Sequence, residues 1–237
     1  MIGKQVLTGA SARRERSRRE MRSTVLEAAA QIVEQDGIDA LTIRAVAQAV
    51  GYSPGALYEY FDDKEAILKA LYFGGADGLG AHCERAVQAL PPGSTALDGF
   101  AAIGHAYRAY ALSHPDLYRL VFGGLKTPPQ SPPKECEEED GDSDGFGTLS
   151  NVVREGISAG ILVDIDPDVI ACTAWAAVHG FVSLELSGHI TGGPGPAVPP
   201  SSPEAGRDIR DQLFYALLRM VLFGYVTPGH QSLSASV

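Results

Sequence analysis

The residues with the clearest capacity for chemistry lie close together, between Thr42 and Lys64. Arg44 can place two parallel hydrogen bonds on the edge of a guanine, which makes it the strongest base-reading side chain of this stretch. Thr42 offers a hydroxyl and Lys64 a positive charge to phosphate, and the hydroxyls of Tyr58 and Tyr60 can also reach a phosphate backbone. Together these side chains favour the recognition of a nucleic-acid duplex.

Two short helices are predicted to carry these side chains. Thr42 is a good N-cap for the first helix, which Gly51 ends. Ser53 and Pro54 open the second helix, because proline fits the first helical position, where its missing N–H would be unpaired anyway. Two short helices joined by a tight turn that contains glycine form a helix-turn-helix, whose second helix lies in the major groove of DNA. Ser53 either caps its helix or bonds a base edge.

The second helix divides into an inward and an outward face. Leu57 and Phe61 are four residues apart and are predicted to pack inward. Gly55 and Ala56 are predicted to face outward, where their small size lets the helix lie deep in a groove and reach a thymine methyl group. Asp62 is predicted to cap the helix that follows.

The stretch TIRAVAQAVGYSPGALYEYFDDKE resembles the DNA-binding signature of the tetracycline-repressor-like (TetR) family of transcriptional regulators. The match extends back through the preceding helix, Arg22 to Gln35, and covers residues 20–70. This resemblance implies a ligand-responsive regulator, expected to be a repressor, that binds a roughly palindromic operator as a dimer. A small, mostly apolar effector is expected to release it.

Charge is unevenly distributed along the 237 residues, whose net charge is −10. Residues 1–22 contain seven Lys or Arg and two Glu, a net +5, so the remaining 215 residues carry −15. We expect residues 1–20 to form a flexible basic arm that is attracted to phosphate, while the acidic remainder stays off the DNA.

Amphipathic patterns beyond the helix-turn-helix predict an all-α protein. The predicted domains after the arm are a three-helix, helix-turn-helix DNA-binding domain (21–66), a helical effector-binding and dimerisation domain (67–226) and a flexible tail (227–237). Helices of the second domain are predicted from Lys64, at 95–113, 116–122 and 149–159, from Pro167, and at 207–223, with linkers at 123–147 and 191–206.

A glycine cluster follows the start of the helix that is predicted from Lys64. Gly74, Gly75, Gly78 and Gly80 fall within seven residues, although each interior glycine costs about 1 kcal/mol relative to alanine. Three explanations are open: close packing against a neighbour, a break between two helices, or a soft joint through which ligand binding re-aims the DNA-reading domain.

Apolar and aromatic stripes on two helices are candidates for an effector pocket, since such pockets combine apolar walls with a few polar tips. His179 is either a polar tip of that kind or a histidine of the core. The blocks YRLVFG (118–123) and WAAVHG (175–180) resemble the C-terminal domain of a TetR subgroup named for its Trp-His-Gly, which implies an all-helical effector domain. The candidates for ligand binding are Phe100, Ile103, Tyr107, Tyr110, Phe122, Trp175, His179 and Val182.

A dimer interface is expected on the last two long helices. Small residues at three-to-four spacing after Pro167 let a second helix approach closely, and the final helix is apolar over most of its circumference. The family resemblance implies that these two helices form a four-helix interface with a second copy. The candidates are Thr173, Ala176, Gly180, Ser183, Leu213, Leu217 and Val221.

Catalysis and metal binding find little support in the sequence. His179 has no Ser, Cys or carboxylate in a recognisable motif beside it, and His82 and Cys83 are adjacent rather than at metal-ligand spacing. No catalytic residue, metal or cofactor is therefore predicted. Two alternatives stay open: a helical enzyme of a small apolar molecule, which would turn over substrate without binding DNA, and an effector-independent DNA-binding protein, which would have no cavity.

The composition favours a cytoplasmic protein. Cys83, Cys136 and Cys172 form an odd, widely spaced set that fits a reducing compartment better than a disulfide framework. No apolar run of about 18 residues is expected, and hence no membrane span. The N-terminus also lacks a continuous apolar signal region. The expected partners are double-stranded DNA, a small-molecule effector and a second copy of the chain.

Overall fold

The computed structural model describes residues 9–124, 129, 145–190 and 209–230. Every element of more than one residue in these ranges is helical, and an antiparallel bridge joins Leu162 to Val226. The predicted all-α class is confirmed. The helices are α1 (Gly9–Asp36), α2 (Ile43–Ala49), α3 (Pro54–Leu57), α4 (Lys64–Gln88), α5 (Ala96–Ser113), α6 (Pro115–Arg119), α7 (Gly145–Ser158), α8 (Pro167–Leu186) and α9 (Ile209–Phe223), with 3-10 turns at Ile38–Ala40 and Pro228–His230 and a π-helical turn at Leu120–Gly124.

The chain forms two compact units, which we call the head and the body. The head comprises residues 1–75 and 114–140, and the body comprises residues 76–113 and 141–237. The predicted boundary was at residue 66, and all later helices were predicted to belong to the second domain. In the structure the head extends to residue 75 and also includes α6. Leu120 is buried in the core of the head and Leu117 packs against that core.

The core of the head is built from one face of each of its helices. Burial of these side chains gives the small unit its stability, since each fully buried aliphatic residue contributes about 1.5–3 kcal/mol. The central buried residues are Val25, Ala29 and Val33 of α1, Val46 and Ala47 of α2, Leu57 and Phe61 around α3, and Ile67, Leu68 and Leu71 of α4.

Helix α1 begins at Gly9, which corrects the prediction of a flexible arm over residues 1–20. Residues 10–36 contain no Gly or Pro and are rich in Ala, Arg, Glu and Gln, all of which favour helix. A helix that is nucleated further along the chain can extend through residues that bury no apolar face. Residues 1–8 lie outside the described residues.

Helix α4 runs without interruption through the glycine cluster, so the predicted alternative of a break is wrong. A Cβ atom on Gly75 would lie 3.0 Å from Val121, and one on Gly78 would lie 2.7 Å from the Tyr110 hydroxyl. These two glycines therefore let neighbouring side chains approach closely.

Several predicted boundaries move. Helix α7 starts at Gly145 rather than 149, and Gly160, at φ +71°, follows its end as expected for a left-handed stop. Thr227, the first residue of the predicted flexible tail, is held in place, since its backbone N–H donates to Ile161 O at 2.9 Å. The predicted linkers at 123–147 and 191–206 and the tail beyond His230 fall largely or wholly outside the described residues.

Helix α8 is the most apolar helix of the body. An 18-residue window within it has a mean hydropathy of 1.5, so by length and composition it could cross a membrane. The expectation that no stretch reaches this length was wrong. Residues of this helix pack against α5, α7 and α9, and 39% of that window is buried.

A buried ion pair joins three helices of the body. The Arg108 guanidinium on α5 donates two hydrogen bonds of 2.7 Å to the carboxylate of Glu185 on α8, and one of 2.7 Å to Asp211 on α9. The side chains of Arg108 and Glu185 are only 11% and 1% exposed, whereas that of Asp211 is 51% exposed. The guanidinium also lies 5.1 Å from the ring centroid of Phe214. Hydrogen bonding to Glu185 raises the pKa of Arg108, so this side chain stays charged.

We expect Glu185→Ala to lower the free energy of unfolding by about 3 kcal/mol, because it leaves a buried guanidinium without its main partner. The matched variant Asp211→Asn should cost less than about 1 kcal/mol, since that carboxylate is half exposed. Urea unfolding followed by circular dichroism measures both. Equal effects of the two substitutions would contradict the assigned roles.

Candidate nucleic-acid interface and effector pocket

The helix-turn-helix is held by two side-chain caps and one glycine turn. Thr42 Oγ1 accepts a hydrogen bond of 3.0 Å from the Ala45 N–H at the start of α2. Gly51 has φ +74°, a conformation that L side chains rarely adopt, and it turns the chain towards α3. Ser53 Oγ then accepts from the Ala56 N–H at 3.2 Å. The capping role of Ser53 is thus present in the structure, and its contact with a base edge stays a prediction.

Helix α3 presents the predicted inward and outward faces. Leu57 and Phe61 are buried, at 1% and 2% exposure. Gly55 and Tyr58 are exposed and Ala56 is partly exposed. The helix has only four residues, so its outward surface is small and a duplex could approach the backbone closely.

The polar candidates differ in how free they are to reach DNA. Arg44 and Thr42 are exposed, and Arg44 makes no ion pair with the residues that the structure describes. Lys64 is partly buried, and its Nζ donates to Ile38 O at 3.3 Å, which ties the start of α4 to the first 3-10 turn. Tyr60 is partly buried, and its backbone carbonyl accepts a hydrogen bond from Arg22.

Sequence reasoning missed two structural residues of the head. Arg22 donates to Tyr60 O, and its guanidinium lies 4.1 Å from the ring centroid of Phe61. Its position one helical turn before the buried Val25 was the signal that it faces inward. Asp63, not Asp62, caps α4, since its carboxylate accepts from the Ala66 N–H at 2.7 Å.

A small, half-open cavity of about 30 Å³, room for about one water molecule, lies within the body, so a larger effector would have to displace its walls. Both of its main walls are helical faces: α5 contributes residues at three-to-four spacing, and α8 does the same. The lining is almost wholly apolar and consists of Phe100, Ile103, Gly104, Tyr107, Leu149, Ala174, Trp175 and Val178.

The structure brings together some of the predicted ligand-binding residues and separates others. Phe100, Ile103, Tyr107 and Trp175 line the cavity. Gly104, Ala174 and Val178 were missed, although the spacing on α5 and α8 places them on the same faces, and Leu149 was missed because it comes from a third helix, α7. The predicted residues outside the lining are Tyr110, which packs near Gly78 and His82, Phe122, whose ring lies 4.8 Å from that of Tyr118 in the head, and Val182, which is fully buried.

A short chain of polar side chains extends from the cavity wall. The Tyr107 hydroxyl lies 3.1 Å from His179 Nδ1, and His179 Nε2 lies 3.4 Å from Ser183 Oγ. Burial lowers the pKa of His179 from its ordinary value of 6.5, so the imidazole is neutral near pH 7. His179 is therefore a partner of Tyr107 rather than a lining residue.

The surface of α8 and α9 carries an exposed apolar face. Thr173 and Ala176 are exposed, and Gly180, Ser183, Leu213, Leu217 and Val221 are partly exposed. Large side chains that sequence reasoning did not single out are also exposed on these helices: Val169 at 51%, Leu184 at 48%, Met220 at 68% and Phe223 at 56%. Exposed apolar patches of this kind mark interaction surfaces.

Two family models match the chain. The model for bacterial regulatory proteins of the tetR family matches residues 25–71, and that for a tetracyclin repressor-like C-terminal domain matches residues 100–202. The chain therefore belongs to the tetR family, whose members are DNA-binding transcriptional regulators. Its subgroup assignment by Trp-His-Gly stays a prediction.

Relatives with known names are regulators rather than enzymes. The HTH-type transcriptional regulator Rv0681 of Mycobacterium tuberculosis is 27% identical over 171 residues, which are 70% of this chain and 71% of that protein. The transcriptional repressor KstR2 of Rhodococcus jostii is 27% identical over 166 residues, or 68% and 79%. A solved protein of unknown function from Rhodococcus sp. RHA1 superposes with a TM-score of 0.70 at 28% identity, covering 87% of this chain and 96% of that one.

The neutral state of His179 predicts a pH effect on stability. Below about pH 6.5 the unfolded chain takes up a proton that the folded imidazole resists, so the unfolding free energy falls as the pH drops. We expect His179→Gln to reduce the loss of unfolding free energy between pH 7 and pH 5. The midpoint of urea unfolding at each pH measures this loss. Burial also lowers the pKa of His105, so part of the acid sensitivity remains. A variant with the full wild-type fall would contradict the assignment.

Proposed function

We propose that this regulator is a cytoplasmic repressor that binds a roughly palindromic operator as a homodimer. A small, mostly apolar effector that enters the cavity of the body releases it. The observation that carries the proposal is the presence, in one chain, of a capped helix-turn-helix with an exposed outward face and an apolar cavity with one polar end.

Exposure supports direct contact between the head and DNA. Arg44 is proposed to read a guanine edge, and the small Gly55 and Ala56 to let α3 lie deep in the major groove. Thr42, Tyr58 and the backbone N–H groups around Ser53 and Pro54 are proposed to position phosphates. Lys64 and Tyr60 act from the edge of this surface, because both are partly engaged within the head.

A dimer follows from the limited reach of one reading helix. A helix of four residues meets only a few base pairs, so useful specificity requires two copies on one site. The apolar face of α8 and α9 supports pairing through the body, since Met220, Leu184 and Phe223 would otherwise stay in water. Thr173, Ala176, Gly180 and Ser183 are small enough for close helix approach.

The cavity lining favours a neutral effector. Its named lining residues carry no charge, and the polar groups among their side chains are the Tyr107 hydroxyl, which is backed by neutral His179, and the indole N–H of Trp175. A charged ligand would lose its hydration without gaining a partner there. We propose a small aromatic or alicyclic compound with one hydrogen-bonding group directed at Tyr107.

The two alternatives have weaker support. An effector-independent DNA-binding protein would need no apolar recess in its body, whereas aromatic side chains of α5 and α8 converge on one here. A helical enzyme would need reactive groups in that cavity, yet the lining of the cavity is apolar. The named relatives of this chain are regulators.

Selection of duplexes from a random pool by the full chain tests the proposal. We expect a site with two related half-sites, bound by two chains in sedimentation. Arg44→Ala should relax preference at one base pair per half-site by about 1–3 kcal/mol. Arg85→Ala, an exposed arginine of the body, is the control and should leave preference unchanged. A uniform loss of affinity across sequences would assign Arg44 to phosphate, and failure to bind any duplex would refute the function.

The effector pocket has its own test. Compounds that raise the melting temperature and release the selected duplex are identified first. Trp175 lines the cavity but is 40% exposed, so Trp175→Ala should spare the core while raising the half-release concentration about tenfold, or about 1.4 kcal/mol. Trp175→Phe should restore most of the response. An unchanged half-release concentration in the alanine variant would place the effector elsewhere.

A further inference from the structure

The first half of α1 is a helix that buries almost nothing. Residues 13–20 are all exposed, and the first side chain of α1 that packs against the core of the head is that of Met21. Within residues 9–22 there are six arginines and two glutamates, a net +4. We call residues Gly9–Glu20 the basic helix. Its folding owes nothing to a hydrophobic core, which raises the question of what it contacts.

The charges of the basic helix have no partner in the described part of the chain. Arg13, Arg14, Arg16, Arg18 and Arg19 form no ion pair there. Several of these arginines are three or four positions apart, which places like charges side by side, an unfavourable arrangement in an isolated helix.

The acidic residues of the basic helix do not relieve this repulsion. Glu15 and Glu20 lie within reach of arginines by spacing but make no salt bridge among the residues that the structure describes, and the first turn contains no acidic residue to complement the helix dipole. A polyanion would remove each of these costs at once.

The structure anchors the chain just after the basic helix to the segment that follows α3. Arg22, two residues after its end, donates to the carbonyl of Tyr60 and stacks on Phe61, directly after α3. At 1.5 Å per residue, Arg13 lies about 14 Å along the helix from this anchor, a distance of about four base pairs of duplex.

We propose that the basic helix is a preformed second DNA contact, which binds phosphates of the duplex flanking each half-site. This inference rests on the proposed DNA-binding function and extends its surface beyond the helix-turn-helix. The five arginines are spread around the helix at 100° per residue, so any side that meets the duplex presents at least two of them. Such contacts add affinity and salt dependence but no sequence preference.

The test uses the full chain and a duplex selected by the wild-type protein, with flanks of about ten base pairs on each side. The triple variant Arg14→Gln, Arg16→Gln and Arg18→Gln removes three charges while keeping residues of similar helix propensity. The control replaces two exposed arginines of the body that lie outside α8 and α9, Arg85 and Arg154, with Gln. Circular dichroism of both variants checks that they keep the helix content of the wild type.

We expect the triple variant to bind at least tenfold more weakly at about 0.1 M salt. The slope of log Kd against log salt should fall by about 0.9 for each phosphate that the variant no longer neutralises. The hydroxyl-radical footprint should shorten at its outer edges, and the preference for the selected site over a scrambled one should stay the same. The body control should match wild type, and the corresponding triple Arg-to-Lys variant should recover affinity.

Other outcomes overturn the inference in distinguishable ways. A triple variant with the wild-type salt slope and footprint shows that the basic helix does not touch DNA, while the proposed function stands. Vesicles of phosphatidylserine and phosphatidylcholine that bind the wild type but not the triple variant, with duplex binding unchanged, assign the helix to anionic membranes instead. A wild-type chain that binds no duplex refutes the proposed function and this inference together.

Discussion

The burial of Leu57 and Phe61 is the constraint on which the DNA-reading surface depends. A helix of four residues has almost no stability of its own, so its position must come from neighbours. These two side chains hold it in the core of the head, and Ser53 and Pro54 set where it begins. Arg22 fixes the backbone at its far end through Tyr60. Because its inner face holds α3 in place, the outer face of α3 can carry small residues that add nothing to folding.

In the body, α5 serves both the cavity and the packing of the last helices. Phe100, Ile103 and Tyr107 face the cavity. A Cβ atom on Gly104 would lie only 2.7 Å from Leu218 of α9, and Arg108 holds both α8 and α9 through its carboxylate partners. An effector that displaces α5 would therefore act on the helices that carry the exposed apolar face. The body would thereby link the proposed effector site to the proposed dimer surface.

Sequence patterns were reliable where a local rule decided the structure. The caps at Thr42 and Ser53, the glycine turn at Gly51 and the inward pair Leu57 and Phe61 follow from interactions within a few residues, and all are present. They failed where longer-range contacts decided. The extent of α1 and the grouping of α6 with the head each depend on cooperativity or packing that a short window does not contain. For the glycines of α4 the sequence left three explanations open, and the contacts of Gly75 and Gly78 support close packing.

By itself the sequence determined the helical class, the helix-turn-helix and its family, because caps, turn residues and apolar spacing act locally. Only the tertiary structure decided which aromatic residues share a cavity. Phe122 and Tyr107 look alike as parts of apolar stripes, yet one packs in the head and the other lines the pocket. The partners of buried charges were likewise invisible, since Arg108, Glu185 and Asp211 come together from three helices far apart in the chain. Ion pairs between residues so far apart in the chain depend on how the helices pack, and the periodicity of a single helix does not predict that packing.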